Sequence, residues 1–280
     1  MARILILSSW VAAGHVGLCA AAPALQALGH SVSQLPMTLL SNHPGWFRTA
    51  GRAVPPDDIA AMIDALDANG WLHRHDALLT GYLPTEEHVL LAARLIDRLR
   101  ACGTAPRIVV DPVLGDAPDG LYLPETVADA VRRTLLPRAD ILTPNAFELG
   151  WLSRRPVATL AQAQAAAAAL ASVGPQILVT SPPVDAHTTG LLAFGDGAPR
   201  LFRTARRAPV PHGTGDVFAG FVAAGLPPGT ALGHLQTLIG ASLGAAHLRI
   251  AEAAALWTAA PPLPADILPT TCETPPLEET

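Results

Sequence analysis

The sequence predicts an α/β fold, a three-layer α/β/α sandwich around a mostly parallel central sheet. Three observations carry that expectation. Short apolar runs recur along the chain, stretches with helical spacing of apolar residues lie between them, and the polar residues suited to chemistry gather at the C-terminal ends of the runs. Half of the 280 residues are hydrophobic and 15% are charged, enough apolar chain for a sizeable core.

Taken in order, Arg3–Leu7 reads as a buried strand, followed by a turn over Ser8–Gly14 and an Ala-rich helix from Val16 to Leu28 that Gly29 stops. Ser31–Leu35 alternates as a second strand, and Ser41–Phe47 has the composition of a loop. Prolines and two aspartates open a helix carrying Ile59, Met62, Ile63 and Leu66. Ala77–Thr80 and Arg107–Val110 are strands flanking a helix that starts at Thr85 and closes at Gly103. A helix over Thr126–Leu136, a strand over Asp140–Leu142 and the loop Thr143-Pro144-Asn145 follow. Thr159 and Gln162 fit a capping box opening an Ala-rich helix that runs to Val173. Gln176–Thr180 is a strand, and Gly190–Phe194 with Arg200–Arg206 form a hairpin turning around Gly195–Gly197. Helices over Gly215–Gly225 and Ala231–Ile250 end the pattern. With no repeat and no linker, residues 1–258 read as one domain and 259–280, rich in Pro and Thr, as a loose tail.

Composition excludes several function classes. Acidic residues outnumber basic ones 23 to 18, for a net charge of −5, which argues against a nucleic-acid partner. Every basic residue is arginine, so a Schiff-base lysine and a GxxxxGK[ST] phosphate loop are ruled out. Cys19, Cys102 and Cys272 lie far apart without CxxC spacing, which fits a reducing cytoplasm and no zinc site. His73 and His75 read as a solvated turn. The N-terminal apolar run is broken by Ser8, Ser9, Gly14, His15 and Gly17, unlike a signal peptide, and no run reaches the ~18–20 apolar residues of a membrane span.

The strongest local signal is His212-Gly213-Thr214-Gly215-Asp216 ahead of an apolar helix. Glycines there let backbone N–H groups converge at a helix N-terminus, an anion site made without lysine. Asp216 alone could be a helix cap; beside a phosphate it makes sense as the base that takes an alcohol's proton. Asp111 in DPVLGD and Glu148 in TPNAFEL suit a hydrated Mg²⁺. Ser8 and Ser9, Gly81-Tyr82, Asn145, Thr180 and Ser181 complete the set at strand ends, although each taken singly is an ordinary turn or cap residue.

These residues together resemble the pyridoxal kinase family of the ribokinase superfamily. The matches run in order through Ser9, Gly14-His15-Val16-Gly17, Ser41-Asn42-His43, Thr80-Gly81-Tyr82, DPVLGD, Leu121-Tyr122-Leu123-Pro124, TPNAFE, Thr180-Ser181 and GTGD, leaving only the tail from Ala259 outside. GTGD marks the superfamily; SNH, TGY and DPVLGD in that order are more specific. The resemblance implies a ribokinase-like fold, usually a homodimer, that uses ATP and Mg²⁺ to convert pyridoxal to pyridoxal 5′-phosphate. It implies Asp216 as base, Gly213, Thr214 and Gly215 as anion hole, and Asp111 and Glu148 in the magnesium network. Asp111, Asn145, Thr180 and Ser181 would lie near the nucleotide, with Tyr122 on a flap over it. Ser9, Val16, His43 and Tyr82 would line the pyridine pocket together with Asp216, Ser9 bonding the ring nitrogen and Tyr82 stacking on the ring. Four positions depart from the family pattern: Pro44 stands where a threonine contacts the substrate, Trp10 where histidine is common, Ser8 where glutamine is common, and Ala13 where a larger residue is usual. The phosphate chemistry is intact while the vitamin pocket is edited. That keeps open a hydroxymethylpyrimidine kinase and, from another class, a catalytically idle B6-binding regulatory protein.

Overall fold

The first strand, β1 (Arg3–Val11), outruns its expected end at Leu7 in the computed structural model, which describes residues 1–103, 105–195 and 197–269. It pairs in parallel with β2 (Ser31–Leu40), and the register slips between Ser8 and Ser9, opposite Pro36. Pro36 has no N–H to give the ladder, so the slip lets pairing resume beyond it. The expected turn at Ser8–Gly14 therefore begins only after Val11.

The remaining elements follow in chain order: α1 (Leu18–Ala27), β3 (Gly51–Ala53), α2 (Pro56–Ala68), β4 (Ala77–Thr80), α3 (Glu86–Ala101) and β5 (Arg107–Val110). Then come β6 (Gly115–Asp116), β7 (Gly120–Leu121), α4 (Glu125–Ala130), β8 (Ile141–Leu142), α5 (Ala146–Ser153), α6 (Leu160–Ala171) and β9 (Gln176–Thr180). The C-terminal part holds β10 (Thr188–Phe194), β11 (Arg200–Ala205), α7 (Thr214–Ala223), α8 (Pro228–Ser242), α9 (Ala254–Trp257) and β12 (Asp266–Ile267).

One ten-stranded sheet runs in the order β12-β11-β10-β9-β8-β5-β4-β1-β2-β3. Its six central strands, β9 through β2, are parallel, and the flanking strands are antiparallel. Alternation along β1 sends Leu5 and Leu7 into one core with Ile59, Ile96 and Leu149, and Ile4 and Ile6 into the other with Leu18, Phe218 and Trp257. Both faces are thus covered, as buried parallel strands require. The chain turns from β2 on one side of β1 to β4 on the other, so the crevice at the C-terminal ends of β1 and β4 is a switch point.

Several expectations need correction. The helix expected over Thr126–Leu136 is α-helical only to Ala130 and then widens into a π turn over Val131–Leu135. The last long helix ends at Ser242 rather than Ile250, where the Ser242 hydroxyl accepts the Arg249 N–H at 2.9 Å and draws the chain back. α5 and the short strands β3, β6 and β7 were not foreseen. Residues 259–269, expected to be loose, run along the fold: β12 pairs with β11, Leu263 N–H donates to the Gly229 carbonyl, and Arg203 meets Asp266 at 2.8 Å. A Cβ on Gly233 would lie 2.1 Å from the Pro261 carbonyl oxygen, so α8 accepts this segment only because of its glycines. The rest of the tail, 270–280, and with it Cys272, lies outside the described residues. His73 sits 2.8 Å from Asp67, whereas His75 is half-buried and bonds the Leu72 carbonyl and the Ser33 hydroxyl of β2, so it ties its turn to the sheet and does not stand in solvent.

Trp257 is fully buried against Phe221, with its indole N–H on the Ile250 carbonyl at 2.8 Å. Trp257→Ala is expected to cost about 3–5 kcal/mol of folding free energy, measured by urea denaturation, through the cavity and the carbonyl left unpaired.

Candidate active site

Asp216 lies in the first turn of α7, whose cap position is Gly213, not Asp216 itself. Gly213 has φ 96°, and a Cβ there would stand 2.0 Å from the His15 carbonyl oxygen; glycine alone fits. That close approach brings the loop before α1 onto the turn, and the Asp216 carboxylate accepts the backbone N–H of Gly17 as well as its own. It sits between the N-termini of two helices, which favours negative charge. Burial nevertheless dominates and pushes its carboxyl from the ordinary 3.8 up to about 6.

Two further carboxyls face it. Asp111, directly after β5, accepts the Thr143 hydroxyl at 3.1 Å, and burial, then the charges of Glu148 and Asp216, push it well above the ordinary carboxylate range. Glu148, on α5, is raised to about 7 by burial, against backbone N–H groups that hold it down. Its two oxygens accept the Leu114 and Asn145 N–H groups at 2.8 and 2.9 Å, and the Asn145 side chain accepts the Glu148 N–H in return. This capping box was absent from the sequence expectation; the Asn-x-x-Glu spacing was the signal that could have revealed it.

Asn145 also donates from Nδ2 to the Gly115 carbonyl at 2.8 Å, and Tyr122 N–H donates to Leu114 at 2.7 Å, so the small β6–β7 hairpin is pinned over the acids. Tyr122 is half exposed there, and burial of its hydroxyl beside Asp116 and Glu148 raises it to about 12.

A cleft of about 290 Å³ brings together Asp111, Tyr122, Asn145, Glu148, Thr180, Gly213, Thr214, Gly215 and Asp216. A second cavity of about 310 Å³ shares Asn145, Thr180, Thr214 and Gly215 with it, adds Ser181, and continues over an apolar floor of Phe218, Leu232, Leu235 and Ile239. Arg206 and Arg207 line its rim. Sequence reasoning missed both arginines; two adjacent cations following a strand and six residues ahead of GTGD were the available signal. Of the four expected pyridine-pocket residues, Val16 and His43 line a small third cavity with His212 and His247. Ser9 packs against Gly17, where a Cβ would meet its hydroxyl at 2.3 Å, and Tyr82 is half buried, its N–H donating to the Ser8 hydroxyl at 3.2 Å. Both stand outside the walls of these three cavities.

Comparison with known proteins decides the family. The chain is 38% identical over 233 residues to the pyridoxine/pyridoxal/pyridoxamine kinase of Bordetella avium, covering 82% of this chain and 79% of that one. The chain belongs to the pyridoxal kinase family. Another member, a pyridoxal kinase of Granulibacter bethesdensis, is 36% identical over 78% of this chain and 79% of its own. The family model described as phosphomethylpyrimidine kinase matches residues 41–234. Among solved members, the pyridoxal kinase of Leishmania donovani in complex with ADP and pyridoxamine superposes with a TM-score of 0.88 at 29% identity, covering 96% of this chain and 100% of that chain. The ribokinase-like sandwich expected from the sequence is the fold of this family. Among the described residues no helix is long and apolar enough to cross a membrane.

The carboxyl shifts carry a pH consequence with a definite sign. The folded chain holds the Asp216 proton more tightly than the unfolded chain does, so stability declines as pH rises from 3.8 through about 6. Asp216→Asn is expected to be more stable than the wild type near pH 8, with the gap closing as pH falls below about 4, read from urea midpoints across pH.

Proposed function

We propose that this pyridoxal kinase family member uses Asp216 as the base when the γ-phosphoryl group of ATP passes to the 5′-hydroxymethyl group of pyridoxal or a close B6 vitamer. The supporting observation is the placement of Asp216, raised to about 6, in the cleft that shares the glycine turn with the larger neighbouring cavity. A base with a pKa just below neutral is ionised at working pH and still basic enough to take a proton late in the transfer. In this reading the hydroxymethyl oxygen attacks phosphorus in line, its proton goes to Asp216, and ADP leaves with the electron pair of the broken bond. Backbone N–H groups over Gly213–Gly215 face the charge that develops on the transferring oxygens. Asn145, Thr180 and Ser181 hold the phosphates, Arg206 and Arg207 supply the cations that a lysine-free chain must find elsewhere, and Tyr122 covers the nucleotide.

The donor chemistry fits Mg²⁺ in a particular way. The three raised carboxyls are an all-oxygen, charge-starved set, yet both Glu148 oxygens already accept backbone N–H groups. No group of three or more His, Cys, Asp or Glu side chains among the described residues could hold a metal. Asp111 and Glu148 are the residues that would hold a hydrated ion beside the phosphates. When bound, Mg²⁺ neutralises phosphate charge. The reading includes a homodimer in the cytoplasm: Cys19 and Cys102 are free thiols, and the strand partners Trp10 and Leu39 leave apolar side chains exposed at the surface.

A second reading, phosphorylation of hydroxymethylpyrimidine, rests on Pro44 in the loop Ser41–Phe47, which offers neither a hydroxyl nor an N–H to a substrate. ADP release with pyridoxal, pyridoxine, pyridoxamine and hydroxymethylpyrimidine, side by side, separates the two. Turnover on a B6 vitamer is expected, falling roughly 10²–10⁴-fold in Asp216→Asn with ligand binding retained. Turnover on the pyrimidine alone favours the second reading; tight B6 binding with no turnover at all makes the protein a binding module. Glu148→Gln is expected to raise the Mg²⁺ concentration needed for half-maximal rate; an unchanged titration leaves Glu148 a capping residue only.

A further inference from the structure

Asp111 and Asp216 each line two spaces, the open cleft described above and a small buried cavity of about 10 Å³. That volume is room for a single water molecule. Ile6 of β1, Ala21 of α1, Leu79 of β4 and Ala219 of α7 wall it, and all four are buried. Alternation along β1 puts Ser8 on the same face as Ile4 and Ile6, so its side chain reaches this cavity as well. A purely apolar cavity stays dry; one with a hydroxyl and two carboxyls on its wall has partners for a water.

The donors and acceptors around the cavity match one such molecule. Ser8 is 3% exposed, and its hydroxyl accepts the Tyr82 N–H at 3.2 Å. A hydroxyl that accepts still has its own proton to give. The Asp216 carboxylate accepts two backbone N–H groups, and Thr143 donates to one oxygen of Asp111 at 3.1 Å. Each carboxylate offers about four acceptor positions, so both have capacity left. A water in the cavity accepts from Ser8 and donates one proton to each carboxyl, about the three bonds typical of a buried water. It also stands between two acids whose like charges repel. The sequence supplies the room. Ser8 occupies the position where glutamine is common, and a longer side chain there would take the space. A Cβ on Gly81 would lie 2.5 Å from the Ser8 hydroxyl oxygen, so the glycine after β4 lets the strand end close on that hydroxyl.

We propose that this cavity is a binding site for one structural water, and that Ser8 acts through it as a positioning residue for Asp216. The proposal rests on the kinase reading above. Ser8 does not line the cleft, so its influence on the reaction passes through the water. The water fixes which Asp216 oxygen turns inward and which turns to the substrate hydroxyl. The base then meets the reacting oxygen already aligned.

A crystal structure that resolves ordered waters is expected to show one within about 3.2 Å of the Ser8 hydroxyl and of both carboxyls. Steady-state kinetics then separate this water from the bond that Ser8 makes to Tyr82. Ser8→Ala is expected to lower kcat about tenfold while the KM values for pyridoxal and ATP stay within about twofold. Ala219→Val, which fills the cavity and leaves the hydroxyl in place, is expected to lower kcat similarly. The double variant should lose no more than either single variant, because the same water is lost only once. Losses that multiply overturn the proposal. So does a raised KM for pyridoxal at unchanged kcat in Ser8→Ala, which would make Ser8 a support for Tyr82 alone. Turnover by a wild type whose crystals show no water in the cavity overturns the proposal and leaves the kinase reading standing. No turnover by the wild type overturns the kinase reading and the positioning role with it.

Discussion

Asp216 is half-buried between the N-terminal ends of α1 and α7, and the rest of the catalytic end is arranged around keeping it there. The carboxylate gains two backbone N–H groups and the positive ends of two helices, yet loses enough water that its proton is held to about 6. Neither helix could supply that environment alone. It needs Gly213 to let the His15 carbonyl approach and Gly17 to turn the chain against Ser9, two positions where a side chain would collide with backbone. The constraint is steric first and electrostatic second.

The neighbouring acids obey a different logic. Asp111 arrives at the end of a buried central strand and Glu148 on the first turn of a short helix, and they are brought together by the loop between β5 and β6. Glu148 anchors that loop by accepting the Leu114 N–H while closing its own helix cap. A single carboxylate therefore shapes the pocket wall and contributes to its field. Such double duty is economical in residues, and it ties the geometry of the nucleotide side to the protonation state of one buried group.

Much of this was legible in the sequence, for physical reasons that also mark where legibility ends. β4, β5 and β9 match their expected bounds because each is a short apolar run bracketed by polar or turn residues and buried on both faces. The α6 capping box, Thr159 with Gln162, is local and was readable. α5 escaped notice because AFELGWLS is short and apolar on most of its faces, leaving no stripe to detect. β3, β6 and β7 are two or three residues long and have no period to read. Asp111, Asn145, Glu148, Thr180 and the glycine turn do converge on one cleft, as strand-end positions should. The approach of His43 and His212, with ring centroids 4.0 Å apart, stayed hidden because it depends on loops far apart in sequence meeting in space.

The segment 259–269 has a consequence for how the molecule comes into being. Its backbone seals α8 on one side through Gly229 and Gly233, while Leu232, Leu235 and Ile239 of the same helix floor the cavity proposed for the nucleotide. On a growing chain every catalytic side chain has been synthesised well before this clasp. Synthesis order therefore separates assembly of the chemistry from closure of the fold, and the floor of the cavity is secured only after the catalytic residues have been made.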